Sequence, residues 1–189
     1  MMMQRKIAIV LAAAFAAAIP AAAAAQQALG PSADVSFGIF AGAGGSFVDR
    51  GGPALDGIVA IPLGRMGSNT LVAGVTGGIS GPLMIGDNIC RLGPGDTCVP
   101  DYPTFTTAGV AAGVQRTIGA GLSARALAGP AYFHAMDGDD ALGLQGRLDV
   151  ARPLIFHTAV VASVRGSLLP SYQGETLSFA TFGVGLRIQ

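Results

Sequence analysis

From residue 30 onward the chain is apolar yet hostile to helix, and this combination limits its folds more than any other feature. All 29 glycines fall after residue 29, and each glycine in a helix interior costs about 1 kcal/mol relative to alanine. Hydrophobic residues make up 51% of the chain and charged residues 12%. Beyond residue 29, however, no run approaches the roughly 18 consecutive apolar residues of a membrane-spanning helix. A chain that meets lipid without such helices must satisfy its backbone by closing strands into a barrel. The expected fold class is therefore all-β: an eight-stranded antiparallel up-and-down transmembrane β-barrel.

Alternation supports this and is clearest in the C-terminal half. Leu142, Leu144, Gly146, Leu148 and Val150 alternate with Gly143, Gln145, Arg147 and Asp149. Further on, Phe156, Thr158, Val160, Ala162 and Val164 share one face, and His157, Ala159, Val161, Ser163 and Arg165 the other. The last segment sets Ala180, Phe182, Val184, Leu186 and Ile188 against Thr181, Gly183, Gly185 and Arg187. Residues 121–133 alternate more weakly, with Ser123 and Arg125 on one face. A soluble sandwich or a lipocalin-like periplasmic barrel also alternates, with its apolar face inward. Here the polar face is rich in Gly, Ala and Ser and poor in charge, which suits a confined lumen better than a solvated surface. An Arg turned to lipid costs about 2–4 kcal/mol at the midplane. Arg125, Arg147, Arg165 and Arg187 are accordingly expected to face the lumen.

Strands are expected near 34–43, 54–63, 69–79, 104–116, 119–133, 141–151, 154–168 and 176–189, the first three being the least distinct because Leu55–Leu63 is apolar on both faces. The linkers at Gly64–Ser68, Thr117-Ile118 and Arg152-Pro153 are short, whereas 44–53, 80–103, 134–140 and 169–175 are longer. Short turns on one side and longer loops on the other are the pattern of outer-membrane barrels, and an even strand number puts both termini on the short-turn side. Eight of the acids, Asp49, Asp87, Asp96, Asp101, Asp137, Asp139, Asp140 and Glu175, lie in the long loops.

The N-terminus supplies the route. Arg5 and Lys6 precede an apolar run from Ile7 to Ile19, then Pro20 and a string of alanines, which are the parts of a secretory signal peptide. A helix of that run rises about 20 Å, short of the roughly 30 Å hydrocarbon core, so cleavage is expected over a retained anchor. The expected division is signal peptide 1–25 and barrel domain 26–189, with export to the outer membrane. Removing Arg5 and Lys6 leaves nine basic residues, all Arg, against eleven acidic ones. No basic surface patch suggests nucleic acid.

The mature chain resembles the small eight-stranded outer-membrane barrels, the OmpA-, OmpX- and Opa-like proteins, through its parity pattern and loop alternation over its whole length. It departs from them in ending Leu186-Arg187-Ile188-Gln189 where many such barrels end in an aromatic residue, and in having no Trp. The resemblance implies a non-enzymatic surface protein in contact with outer-membrane lipid, acting through loops 44–53, 80–103, 134–140 and 169–175 on surface ligands. Two other readings are a small pore or gated transport barrel, and a soluble lipocalin-like binder. A third is a lipid-modifying enzyme similar to the lipid A deacylase barrels, which carry a His-x-Ser arrangement with an acid, but here His134 is followed by Ala135-Met136 and His157 by Thr158-Ala159.

The candidate chemistry is sparse. Cys90 and Cys98 stand in the longest linker, and in an exported chain such a pair reads as a disulfide, with no His nearby to complete a metal site. A turn at Arg152-Pro153 would set Asp149 opposite His157, and a turn near Tyr172 would set His157 opposite Arg187. With strands about 4.8 Å apart, Asp149, His157 and Arg187, with Arg147 and Arg125 nearby, are expected to form a network near the end that carries the termini. Such a network either fills the interior as structure or lines a narrow anion path with Arg165. Ser163 lies six residues from His157, about 20 Å along a strand, so no serine hydrolase is expected. Asp137-Gly138-Asp139-Asp140 lacks full calcium-loop spacing, and Gly42-Ala43-Gly44-Gly45 lacks the Lys-Ser/Thr of a phosphate loop. No catalytic residue, metal or cofactor is expected.

Overall fold

The computed structural model describes residues 30–45, 51–81, 104–118, 121–136, 139–154 and 157–189, and the backbone of 90–92 and 98–100. The expected signal peptide, 1–25, lies outside the described residues. The strands are β1 Ser32–Gly44, β2 Gly51–Met66, β3 Asn69–Ser80, β4 Cys90–Leu92, β5 Cys98–Pro100, β6 Phe105–Thr117, β7 Ser123–Ala135, β8 Asp140–Pro153, β9 Thr158–Tyr172 and β10 Glu175–Ile188. Eight of them close in the order β1-β10-β9-β8-β7-β6-β3-β2, while β4 and β5 form a separate hairpin within the longest connection. Every neighbouring pair in the ring is antiparallel.

The barrel is inside-out relative to a soluble one. Phe37 is 66% exposed on the outer wall, and Val35, Ile39, Leu142, Leu144, Leu148, Val184 and Ile188 stand out beside it, whereas Arg187 inside is 0% exposed. This overturns the lipocalin-like alternative, because an inward apolar face would bury those side chains. At about 3.4 Å per residue and a tilt near 40°, the 14 residues of β8 rise about 36 Å, more than an apolar band of roughly 25 Å. The strand ends therefore project beyond the band on both sides.

Three turns fall elsewhere than the sequence suggests. Thr117 pairs with Ser123 inside the ladder and the turn comes later, with Ile118 N–H donating to the Leu122 carbonyl at 2.8 Å. In the other two proline is the reason. Pro153 pairs with Ala159 inside the ladder, and the turn comes later, with Leu154 N–H donating to the Thr158 carbonyl at 2.9 Å. A proline at a strand end removes a donor without breaking extended geometry, so Arg152-Pro153 is strand and not turn. Likewise 169–175 is not a loop. Pro170 lies in β9, and the strand runs on to a two-residue turn in which Gln173 (φ 49°) and Gly174 (φ 83°) both take left-handed geometry. Such a turn matches the twist of a hairpin.

Ring closure depends on close backbone approach at the β1–β10 seam. A Cβ on Gly185 would overlap the Val35 carbonyl oxygen and the Ser36 backbone, while at Gly166 nothing lies within 4 Å. Gly185→Ala should thus destabilise the barrel by about 1–3 kcal/mol or more, with Gly166→Ala as the tolerated control. Urea midpoints in detergent will measure both, and equal midpoints would show that the seam gives way freely.

Candidate functional site in the barrel lumen

Three layers fill the lumen, in the order in which the strands cross it. At the end carrying the termini is a cavity of about 450 Å³, lined in part by Ser32, Ala60, Thr70, Gln115, His157 and Gln189. Next come the charges. Asp34 on β1 is opposite Arg187 on β10, which donates through Nε and Nη2, each at 2.9 Å. Arg125 on β7 reaches across the lumen to donate through Nη2 to the same Asp34 carboxylate. It also grips Asp149, its neighbour on β8, through Nε at 2.9 Å and Nη2 at 2.6 Å. Arg147 Nε donates to Asp149 Oδ1 at 2.7 Å, and Arg187 Nη2 stands 3.7 Å from Asp149 Oδ2. Two carboxylates are thus shared among three guanidinium groups.

One step further toward the loops, Arg165 Nη1 lies 2.8 Å from Asp56 Oδ1 and donates to Thr107 Oγ1 at 3.1 Å. The Asp56 contact lacks hydrogen-bond geometry, so its attraction is mainly electrostatic. Thr181 Oγ1 donates to Asp56 Oδ2 at 3.0 Å, and Gln145 Nε2 donates to Thr76 Oγ1. Buried charges persist only when paired or hydrogen-bonded, and here pairing spans β1, β2, β7, β8, β9 and β10.

The third layer is aromatic. Phe40, Phe105, Phe133 and Phe179 meet beneath the loops with Tyr172, Leu169 and Leu177 around them. Phe179 stacks on Phe105 with centroids 5.9 Å apart and meets Phe40 and Phe133 edge-on at 5.7 and 6.0 Å. At the rim above, His134 Nδ1 lies 2.7 Å from Asp140 Oδ1, and Gln173 Nε2 donates to Asp139, tying two hairpin tips together.

Of the residues singled out from sequence, Arg125, Arg147, Asp149, Arg165 and Arg187 come together in the lumen. His157 does not. It is exposed in the turn before β9 with φ 56°, its carbonyl accepting the Gln189 N–H at 2.8 Å. Asp149 is opposite Ser163, and Arg187 opposite Ala159, because the turn lies beyond Pro153. Asp34, Asp56 and the aromatic layer escaped the sequence reading. For Asp34 the signal exists in the alternation of Ser32, Asp34 and Ser36 with Ala33, Val35 and Phe37. Cys90 and Cys98 have a described backbone only. The hairpin register sets Cys90 opposite Pro100 and Cys98 opposite Leu92, and their side chains lie outside what is described.

No protein-family model matches the sequence, and no curated protein matches it. Among solved structures, the chain is similar to Neisserial surface protein A at 11% identity and a TM-score of 0.49, over 85% of this chain and 99% of that one. It is similar to Ail, the attachment invasion locus protein of Yersinia pestis solved with the heparin analogue sucrose octasulfate, at 13% identity and a TM-score of 0.47, over 85% and 100%. The Yersinia pestis outer membrane protein Ail in a phospholipid bilayer nanodisc is similar at 12% identity with the same TM-score and coverage.

Proposed function

We propose that this chain is an exported, non-enzymatic outer-membrane barrel of a bacterium whose filled lumen is a structural core and whose interactions are made at the surface. Residues 1–25 are its signal peptide and 26–189 the inserted domain. Its outer wall meets lipid. Surface ligands meet the connections 44–53, 80–103 and 134–140, while the tip at Gln173-Gly174 is too short to reach far. The observation that carries this reading is the double closure of the lumen, by an ion-paired belt and by an aromatic layer above it. It also argues against the pore alternative, since both layers set buried side chains across the lumen and eight strands give an interior just wide enough for side chains.

Planar-bilayer recording tests the assignment. The purified protein should insert, resist carbonate extraction from membranes and give no conductance steps. Reproducible steps altered by Arg147→Ala would replace it with transport. In the exported protein, Cys90 and Cys98 should be linked, bracing the hairpin at the tip of the longest loop by about 2–3 kcal/mol of unfolded-state entropy. Non-reducing peptide mapping checks this, and free thiols would end it.

A further inference from the structure

Among the described residues the lumen buries four guanidinium groups, those of Arg125, Arg147, Arg165 and Arg187, against three carboxylates, those of Asp34, Asp56 and Asp149. Two of the carboxylates are fully engaged, Asp34 by Arg125 and Arg187 and Asp149 by Arg125 and Arg147, while Asp56 accepts from Thr181 through Oδ2 and meets Arg165 through Oδ1 by charge alone. The surplus positive charge is not spread evenly. Arg147 and Arg165 stand directly opposite one another on β8 and β9. Arg147 Nη2 and both Nε and Nη2 of Arg165 are buried without an acceptor. So is the hydroxyl of Ser167, two residues beyond Arg165 and on the same lumenal face.

Like charges at facing strand positions repel, and unpaired ionised groups are poorly tolerated away from water. Water between them can accept N–H groups but adds no negative charge. We propose that a single small monovalent anion, of halide size and chemistry, sits in the lumen between Arg147 and Arg165. One such ion cancels the one-charge surplus, whereas a dianion would reverse it. A halide accepts from N–H and O–H donors in any direction, so it suits the facing guanidinium groups of Arg147 and Arg165, with Ser167 Oγ a further donor on the same face. The aromatic layer above and the Asp34–Arg125–Asp149 belt below close the site to bulky ligands. This assignment concerns the lumen alone and stands or falls independently of what the loops bind.

Unfolding of the full protein in detergent, in sodium chloride, bromide or gluconate at one ionic strength, tests the site. The midpoint should rise with halide concentration and saturate, as for any ligand of the native state, while gluconate leaves it flat. Arg147→Gln and Arg165→Gln each remove the surplus charge and one set of donors, and should raise the half-saturating halide concentration by roughly tenfold or more. Crystals grown in bromide should show anomalous density between the two guanidinium groups. Equal midpoints in chloride and gluconate overturn the proposal, as does bromide found elsewhere and absent there. If neither variant folds, the native halide series and the bromide density still decide.

Discussion

Asp34→Ala should be among the most damaging substitutions in the molecule, lowering stability by about 3–5 kcal/mol. Its carboxylate receives two hydrogen bonds from Arg187 and one from Arg125 while only 1% of the residue is exposed. Moving these ions out of water opposes their pairing, so the intact cluster contributes little net stability. Deleting one partner is different, because the remaining charges stay buried and uncompensated. Without Asp34, Arg125, Arg147 and Arg187 are left with Asp149 alone. Asp34→Asn separates charge from shape and should cost nearly as much, since a neutral amide cannot balance two guanidinium groups. Urea midpoints in detergent will show the effect. A loss under about 1 kcal/mol for Asp34→Ala would mean that the belt is hydrated well enough to behave like a surface pair.

Phe179→Ala should cost about 3–5 kcal/mol, the range for removing a buried aromatic side chain. The ring contacts Phe40, Phe105 and Phe133 from one position, so its loss strips packing from three strands together. Conductance should nevertheless stay silent, because the arginine–aspartate belt closes the lumen independently. An open channel in Phe179→Ala would show that the aromatic layer is the sole barrier. The pairing of a stability loss with an unchanged current distinguishes a filled interior from a gate.

Much of this was legible in the chain, and the rest failed for definable reasons. Parity along β7, β8, β9 and β10, weakest in β7, assigned the two faces correctly, because each strand repeats its inward residues every second position whatever its partners are. That put Arg125, Arg147, Arg165 and Arg187 inside without any knowledge of register. Which residues meet is a different matter. Partners depend on where each turn lies, and reading Pro153 as a turn moved His157 into a network from which its exposed, left-handed position excludes it. Asp56 was hidden because Leu55–Leu63 is apolar on both faces. The aromatic layer was hidden more deeply: Phe40, Phe105, Phe133 and Phe179 come from β1, β6, β7 and β10, and nothing local links them. Sequence periodicity reports the wall a residue faces, while contacts across a lumen belong to the closed ring.

The belt also orders events in time. Asp34 is in the first strand, and its partners Arg125 and Arg187 are in β7 and β10. During synthesis the carboxylate is therefore made long before either group that neutralises it, and the second arrives only with the final strand. A product cut short of β10 has an unpaired edge and an acid with half its counter-charges. Only the complete chain can both close the ring between β1 and β9 and give Asp34 its second guanidinium partner, so the last strand supplies closure and charge balance in one step.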